Sequence, residues 1–161
     1  MRAPDLALVV NDGPSDVAAG VFTSNRVKAA PVRWSERVLA DHRLRAVVLN
    51  SGGANACTGP DGFADTHHTA EAVAAALGIG AGEVAVCSTG LIGERLPMPA
   101  VLAGIDAAAQ QIATDGGPDA AEAIRTTDTV AKQGANDASN FAFQRIIQRG
   151  RDAAAADRAK G

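Results

Sequence analysis

Short apolar runs alternate with longer amphipathic segments along most of the chain. The runs Leu6–Val10, Leu44–Asn50 and Glu83–Ser88 have the length and composition of buried β-strands. Phe63–Leu77 and Met98–Ile112 carry apolar residues at helical spacing and are predicted to be α-helices. The order strand, loop, helix therefore occurs twice in succession. This order predicts an α/β (α+β) fold, a layered sheet with helices built from β-loop-α units.

Turn and helix-start signals predict the elements around these units. Val17–Asn25 is predicted to be a second strand, which would form a hairpin with the first strand across a loop at Asn11–Asp16. The pattern "AAPVRWSERVLA" predicts a helix with Ser35 as its N-cap. Pro118 suits the first turn of a further short helix.

The chain length of 161 residues fits one domain, but the character of the sequence changes near its end. We predict a domain over residues 1–133 and an atypical Ala/Arg-rich tail over residues 134–161. Phe141, Ile146 and Ile147 have helical spacing in that tail. The tail is therefore predicted to be a helix that frays after Gly150 and does not pair with the sheet.

Composition and charge exclude several classes of function. The formal net charge is −3 and aromatic residues make up 3%, which argues against nucleic-acid binding. No apolar run is long enough to predict a membrane span. The two cysteines form no CxxC pair, which indicates a reduced, cytoplasmic setting. The histidines have no chelating spacing, so we expect no metal site. No cofactor is expected either.

The stretch "VVLNSGGANACTG" (residues 47–59) follows the second predicted strand and is rich in small residues. Such backbone can cradle a phosphate, hold an anionic intermediate or form a turn. The spacing matches neither G-x-G-x-x-G nor the P-loop pattern, which disfavours a nucleotide-binding module. We find no physical ground for a direct catalytic role of Asn50 or Asn55.

Two later stretches could also carry chemistry. In "CSTGLIGERLP", Thr89 and Gly90 follow a strand directly, and a hydroxyl beside a glycine amide can form an oxyanion hole. A plain strand-to-helix turn explains the same residues equally well. In "AIRTTDT", Thr126 could bind a small polar substrate or only end a helix.

No nucleophile stands out in a known catalytic pattern. Ser51 and Ser88 lie at strand ends, but neither is part of G-x-S-x-G. Cys57 and Cys87 have no evident histidine partner.

Taken together, "GVFTSNRVKAAPV", "NSGGANACTG", "CSTGLIGERLP" and "AIRTTDT" occur in register and resemble the ornithine acetyltransferase family over about residues 5–133. Members of that family are precursors that cleave themselves before the threonine of an Ala-Thr-Met sequence. The freed threonine takes the acetyl group of N-acetylornithine and passes it to glutamate. Some members also accept acetyl-coenzyme A.

The resemblance implies roles for particular residues. Thr89 and Gly90 correspond to the oxyanion hole, and Thr126 corresponds to a substrate-binding threonine. The final Ala159–Gly161 matches a substrate-lysine motif, which assigns Lys160 to substrate binding. A helical tail would instead keep Lys160 away from Thr126, and both readings stay open.

The sequence contains no Ala-Thr-Met, so the nucleophilic threonine is expected on a complementary β chain. The resemblance thus predicts the α-chain part of a glutamate N-acetyltransferase, inactive on its own and active in a hetero-oligomer. The alternative is a non-catalytic remnant, a binding or assembly module that keeps the same fold.

Overall fold

The computed structural model describes residues 5–126 and the backbone of residues 146–148. Helices and one mixed sheet make up this part of the chain, which confirms the predicted α/β (α+β) class. The elements are β1 (Leu6–Val10), α1 (Ala30–Val38), β2 (Ala46–Asn50), α2 (Gly59–Leu77), β3 (Val84–Ser88), α3 (Met98–Ala109), α4 (Gly117–Ala123) and β4 (Ile146–Gln148), with short 3-10 turns at Leu39–Asp41 and Ala81–Glu83.

The described strands lie in the order β3-β2-β1-β4. β2 and β3 are parallel, with Val48 opposite Val86, and α2 forms the crossover between them. β1 is antiparallel to both of its neighbours. The two predicted β-loop-α units are therefore confirmed, and both place their loops at the same end of the sheet.

The main core lies on one face of the sheet, because alternate strand residues point to opposite faces. Leu8, Val48 and Val86 are almost fully buried there and belong to one cluster with Trp34 and with Val73 of α2. Burial of each such side chain contributes about 1.5–3 kcal/mol to stability. A second, smaller cluster forms on the other face, where α4 packs its alanines against the sheet; its members are Ala7, Leu49, Ala120 and Ala123.

Helix α1 covers the outer edge of β3 with side-chain hydrogen bonds. The indole nitrogen of Trp34 donates to the Val84 carbonyl at 2.9 Å. The Ser35 hydroxyl donates to the Val86 carbonyl at 2.8 Å and accepts from the Val86 amide at 3.0 Å. These bonds satisfy peptide groups that an edge strand otherwise leaves unpaired.

The prediction of Ser35 as a helix N-cap was therefore wrong. Helix α1 begins five residues earlier, at Ala30, with Pro31 in its first turn. A proline suits that position because its missing N–H would have no helical partner there. Ser35 lies inside the helix, where its hydroxyl bonds the sheet and is buried.

The predicted hairpin was also wrong. Residues 17–25 contain no strand, and Val17 forms only an isolated bridge with Arg43. The physical reason is that both edges of β1 are occupied, one by β2 and the other by β4. No edge of β1 is left for a second hairpin strand.

The tail differs from prediction at the three residues that the structure describes. Ile146–Gln148 forms strand β4 opposite Ala7–Val9, where a helix without sheet pairing was predicted. Without β4, one edge of β1 would have no partner strand. Pairing with that edge can override the local helix preference, and the β-branched isoleucines suit a strand. The remaining predictions for residues 134–161, including the fraying after Gly150, lie outside the described residues.

Candidate functional site

Two loops meet at the carboxyl ends of β2 and β3. We call residues 51–58 the first glycine loop and residues 89–97 the second glycine loop. The Thr89 amide donates to the Asn50 carbonyl, the Ala54 amide to the Leu91 carbonyl and the Gly93 amide to the Ala56 carbonyl, each at 2.9 Å. These bonds join the two loops along their lengths, so the loops form one structure and not two independent turns.

Glycine is required where the loops cross. Gly90 has a φ of 134°, a conformation that side-chain-bearing residues rarely adopt. A Cβ atom at Gly90 would lie 2.9 Å from both the Cα and the amide nitrogen of Gly53. The close contact of the two backbones therefore fixes the direction of the chain immediately after Thr89.

Thr89 and Gly90 present two hydrogen-bond donors side by side. The Thr89 amide is used in the bond to Asn50, but its hydroxyl has no hydrogen-bond partner within residues 5–126. The Gly90 amide has none there either, and both residues are exposed. The position can therefore accept an oxygen atom that carries developing negative charge.

The side chain of Asn55 connects the first glycine loop to helix α2. It is fully buried, and its amide nitrogen donates to the Gly62 carbonyl at 2.8 Å and to the Thr66 hydroxyl at 3.0 Å. Its side-chain oxygen accepts from the Thr58 hydroxyl at 2.7 Å. Asn55 thus attaches the loop to the start of α2, and all of these interactions are structural.

Arg95 attaches the second glycine loop to α2. Its guanidinium donates to both carboxylate oxygens of Asp65, at 2.8 and 2.7 Å, and lies 3.4 Å from Asp61. The hydrogen bond with Asp65 raises the pKa of Arg95 above its ordinary value. Because this charge is already paired, Arg95 is a support for the loop and not a free anion-binding group.

The C-terminal end of α4, three residues before Thr126, is hydrogen-bonded to the same end of the sheet. The Ser51 hydroxyl donates to the carbonyl of Ala123, the last residue of α4, at 2.7 Å. Thr126 follows three residues later, is exposed and has a φ of 52°, which is uncommon for a β-branched residue. Its hydroxyl donates to the Arg125 carbonyl at 2.8 Å, so its oxygen can still accept a bond.

The remaining sequence candidates have other surroundings. Burial raises the pKa of the Cys87 thiol even though part of the residue is exposed, which disfavours the thiolate. Cys57 is exposed on the first glycine loop. The Ser88 hydroxyl is buried and lacks a partner within the described residues. None of these three has a hydrogen-bonded histidine within residues 5–126. Lys160 lies outside the described residues.

His67 has structural surroundings as well. His67 stacks against Trp34, with ring centroids 4.9 Å apart, and lies 3.6 Å from Glu71. Across residues 5–126 no three His, Cys, Asp or Glu side chains are grouped to hold a metal ion. None of the helices in this part of the chain combines the length and apolarity needed to cross a membrane.

Thr89 and Gly90 stay predictions from the sequence, and the sequence analysis missed the residues that hold their loops. Asn55 was seen only as a loop residue, and the Arg95–Asp65 pair and the Ser51–Ala123 bond were not foreseen. The local sequence gives no signal for the Arg95–Asp65 pair, because an exposed arginine can be solvated by water and needs no partner. The partner itself lies 30 residues away in sequence and is identified only by the fold.

The chain is similar to known proteins of arginine biosynthesis. A family model described as the ArgJ family matches residues 1–149. The "Arginine biosynthesis bifunctional protein ArgJ" of Streptomyces coelicolor is 70% identical over 130 residues, which cover 81% of this chain and 34% of that protein. The protein of the same description from Thermobifida fusca is 66% identical, with 80% and 33% covered. The chain thus spans about a third of the length of these curated relatives.

Two solved structures are also similar. Ornithine acetyltransferase from Mycobacterium tuberculosis, complexed with ornithine, has a TM-score of 0.78 and 64% identity, covering 80% of this chain and 70% of that one. The bifunctional protein argJ from Bacillus halodurans has a TM-score of 0.71 and 38% identity, with 80% and 68% covered.

Proposed function

The chain belongs to the ArgJ family, and from that premise we propose that it supplies the oxyanion-hole part of an acetyltransferase in arginine biosynthesis. The reaction moves the acetyl group of N-acetylornithine to glutamate. The nucleophilic threonine comes from a complementary β chain, and the two chains act as a hetero-oligomer.

One observation carries this proposal: the paired donors at Thr89 and Gly90. The contact with Gly53 restrains the backbone at Gly90, and the exposed position of both residues leaves room for a substrate oxygen. A pre-oriented donor pair is the feature that acyl transfer needs, because it requires no reorganisation as charge develops.

The chemistry follows from these donors and an external nucleophile. The threonine oxygen attacks the acetyl carbon, and its own α-amine takes the hydroxyl proton. The carbonyl oxygen becomes negative and is stabilised by the Thr89 hydroxyl and the Gly90 amide. The bond to the ornithine nitrogen breaks, and that nitrogen leaves with the proton. The neutral amine of glutamate then attacks the ester carbon, the bond to the threonine oxygen breaks, and a proton passes from the glutamate nitrogen through the α-amine to that oxygen.

Thr126 is proposed to bind the polar part of the substrate. The Ser51–Ala123 bond supports this role. It holds the end of α4, three residues before Thr126, at the end of the sheet where Thr89 and Gly90 lie. Lys160 is proposed as a further substrate ligand on the basis of the motif alone. Acetyl-coenzyme A as a second acetyl donor and a cytoplasmic location are likewise proposals from the resemblance.

The test combines this chain with the remaining part of the Streptomyces coelicolor relative, begun at its nucleophilic threonine. The pair should transfer acetyl groups from N-acetylornithine to glutamate, and this chain alone should not. Thr89→Ala should lower kcat by roughly 100- to 1,000-fold with a much smaller change in KM. Thr114→Ala, a substitution of an exposed threonine in a remote turn, is the matched control and should leave both constants unchanged.

Three outcomes would contradict the proposal. Equal turnover by Thr89→Ala and the parent would make Thr89 a turn residue. Turnover by this chain alone would require a nucleophile among Ser51, Cys57, Cys87 and Ser88. A stable pair with no activity would favour the non-catalytic binding module. Mass spectrometry of the protein from its native host gives independent support if a chain that begins with threonine co-purifies.

A further inference from the structure

Two consecutive residues at the end of β2 hold different parts of the candidate site. The Asn50 carbonyl accepts a hydrogen bond from the Thr89 amide at 2.9 Å, which holds the start of the second glycine loop. The Ser51 hydroxyl donates to the Ala123 carbonyl at 2.7 Å, which holds the end of α4. The step from Asn50 to Ser51 therefore connects the second glycine loop to the end of α4.

The Ser51 hydroxyl bonds a carbonyl that α4 itself leaves without a partner. Ala123 is the last residue of α4, and the last carbonyls of a helix accept no bond from within it. Ala123 is also fully buried, so water is a poor substitute for the serine. The other contacts of α4 are weak, because its buried residues are two alanines and alanine buries little apolar area. The Ser51 bond is thus a large part of what fixes the end of this short helix.

Both residues between Ala123 and Thr126 are bonded back to α4. The amides of Ile124 and Arg125 donate to carbonyls of the helix at 3.1 and 3.3 Å. The Arg125 guanidinium forms an ion pair with Glu122 at 2.9 Å. The Thr126 hydroxyl in turn donates to the Arg125 carbonyl at 2.8 Å. A displacement of the end of α4 would therefore also displace Thr126.

We propose that Ser51 is a positioning residue that holds Thr126 at a fixed separation from Thr89, and this inference rests on the proposed function. Ser51 acts on the substrate only through the carbonyl of Ala123. Its own backbone is held, because its amide donates to the Asp5 carbonyl at 2.8 Å. Without the hydroxyl, the end of α4 spends part of its time in positions where Thr126 cannot reach the substrate. Affinity then falls by the fraction of chains in the competent position, whereas turnover of the bound substrate does not change.

The first measurement uses this chain alone and needs no substrate. Ser51→Ala should speed amide hydrogen exchange at Ile124 and Arg125 by roughly two- to tenfold, because loss of one hydrogen bond makes local opening of α4 easier by that factor. Exchange of the Ala54 amide, which bonds the Leu91 carbonyl, should not change. Ser51→Thr keeps the hydroxyl and should exchange at the rate of the parent. Unchanged exchange at Ile124 and Arg125 in Ser51→Ala overturns the proposal.

The second measurement uses this chain paired with the remaining part of the Streptomyces coelicolor relative. The probe is ornithine, with which the Mycobacterium tuberculosis structure is complexed. Ser51→Ala should raise both the Kd of ornithine, determined by calorimetry, and the KM for N-acetylornithine by roughly two- to tenfold, with kcat within twofold of the parent. Ser35→Ala is the matched control. It removes a buried hydroxyl that bonds the Val86 carbonyl, so it should lower the thermal midpoint at least as much but leave Kd and KM within twofold.

A double variant and the remaining outcomes separate positioning from general stability. Ser51→Ala added to Thr126→Ala should raise Kd no further, because both substitutions act through one contact; a further rise overturns the proposal. Faster exchange with unchanged Kd, or an equal rise of Kd in Ser35→Ala, overturns it even if the pair is active. Failure of the parent pair to bind ornithine also overturns it. Ornithine binding that is weakened as expected in a pair that never transfers acetyl groups supports positioning and rejects the enzymatic proposal.

Discussion

The two glycine loops and the segment Asn11–Ala29 both lack helix and strand, but they are held in different ways. The loops are joined to each other by backbone bonds and to α2 by Asn55 and Arg95. The segment, which we call the open segment, is anchored near its start, where the Ala18 amide donates to the His42 carbonyl at 2.8 Å, and at its end, where Lys28 pairs with Glu36 of α1. Its bonds around Asn25 are local.

The exposure of side chains follows the same division. Asn55 in the first glycine loop is fully buried, whereas Val21 and Val27 in the open segment are 101% and 68% exposed. An irregular segment is therefore well determined when its polar groups find partners within the chain. A segment that leaves apolar side chains in solvent lacks such internal contacts, and only a ligand or a partner protein could cover those side chains.

Among the variants that test this difference, Gly90→Ala should cause the largest loss of unfolding free energy. The added Cβ would contact the backbone of Gly53, and the positive φ adds strain, so unfolding free energy should fall by about 4 kcal/mol. Gly59→Ala is the control, because Gly59 also has a positive φ but has open space around it. It should cost about 1 kcal/mol. Urea unfolding measures both, and equal losses would show that the loops can separate freely.

A smaller loss is expected from Asn55→Ala. The substitution removes the bonds to Gly62, Thr58 and Thr66 at a buried site, so stability should fall by about 2–3 kcal/mol. Asn25→Ala removes the same side chain from the open segment, where it bonds only the Val27 amide, and should cost less than about 0.5 kcal/mol. Similar losses in thermal or urea unfolding would contradict the division between the two regions.

Limited proteolysis should distinguish the two regions directly. Trypsin should cut after Arg26 roughly ten times faster than after Arg95, because cleavage needs local opening and Arg95 is held by Asp65. Mass spectrometry of early fragments identifies the order of cleavage. Asp65→Asn should speed the cut after Arg95 and leave the cut after Arg26 unchanged. A faster cut at Arg95 in the parent chain would show that the second glycine loop opens more readily than the open segment.

The smallest effect concerns the anchor at the start of the open segment. The hydrogen bond from Arg43 holds the pKa of Asp16 below its ordinary value of 3.8. A lowered folded-state pKa contributes stability above the ordinary value, and this contribution is lost as pH falls through the lowered one. The parent's thermal midpoint should therefore fall slightly more steeply below about pH 4 than that of Asp16→Asn. Parallel curves would show that the pair does not contribute.

The sequence was sufficient for the elements whose signals are local. Apolar runs predicted β1, β2 and β3, and helical spacing predicted α2 and α3, with boundaries that differ by a few residues. Pro118 correctly indicated α4. The motifs around Thr89 and Thr126 also indicated the family, because a motif is a property of the chain itself.

Only the tertiary structure decided which elements pair and which polar groups are satisfied. Val17–Asn25 has the composition of a strand, but no edge of β1 is free for it, while Ile146–Gln148 takes that place. Ser35 has the chemistry of a helix cap, but the nearby edge of β3 uses its hydroxyl. Edge pairing and hydrogen-bond satisfaction depend on groups that are 50 or more residues apart in sequence, and the local pattern of a chain contains no information about such distant partners.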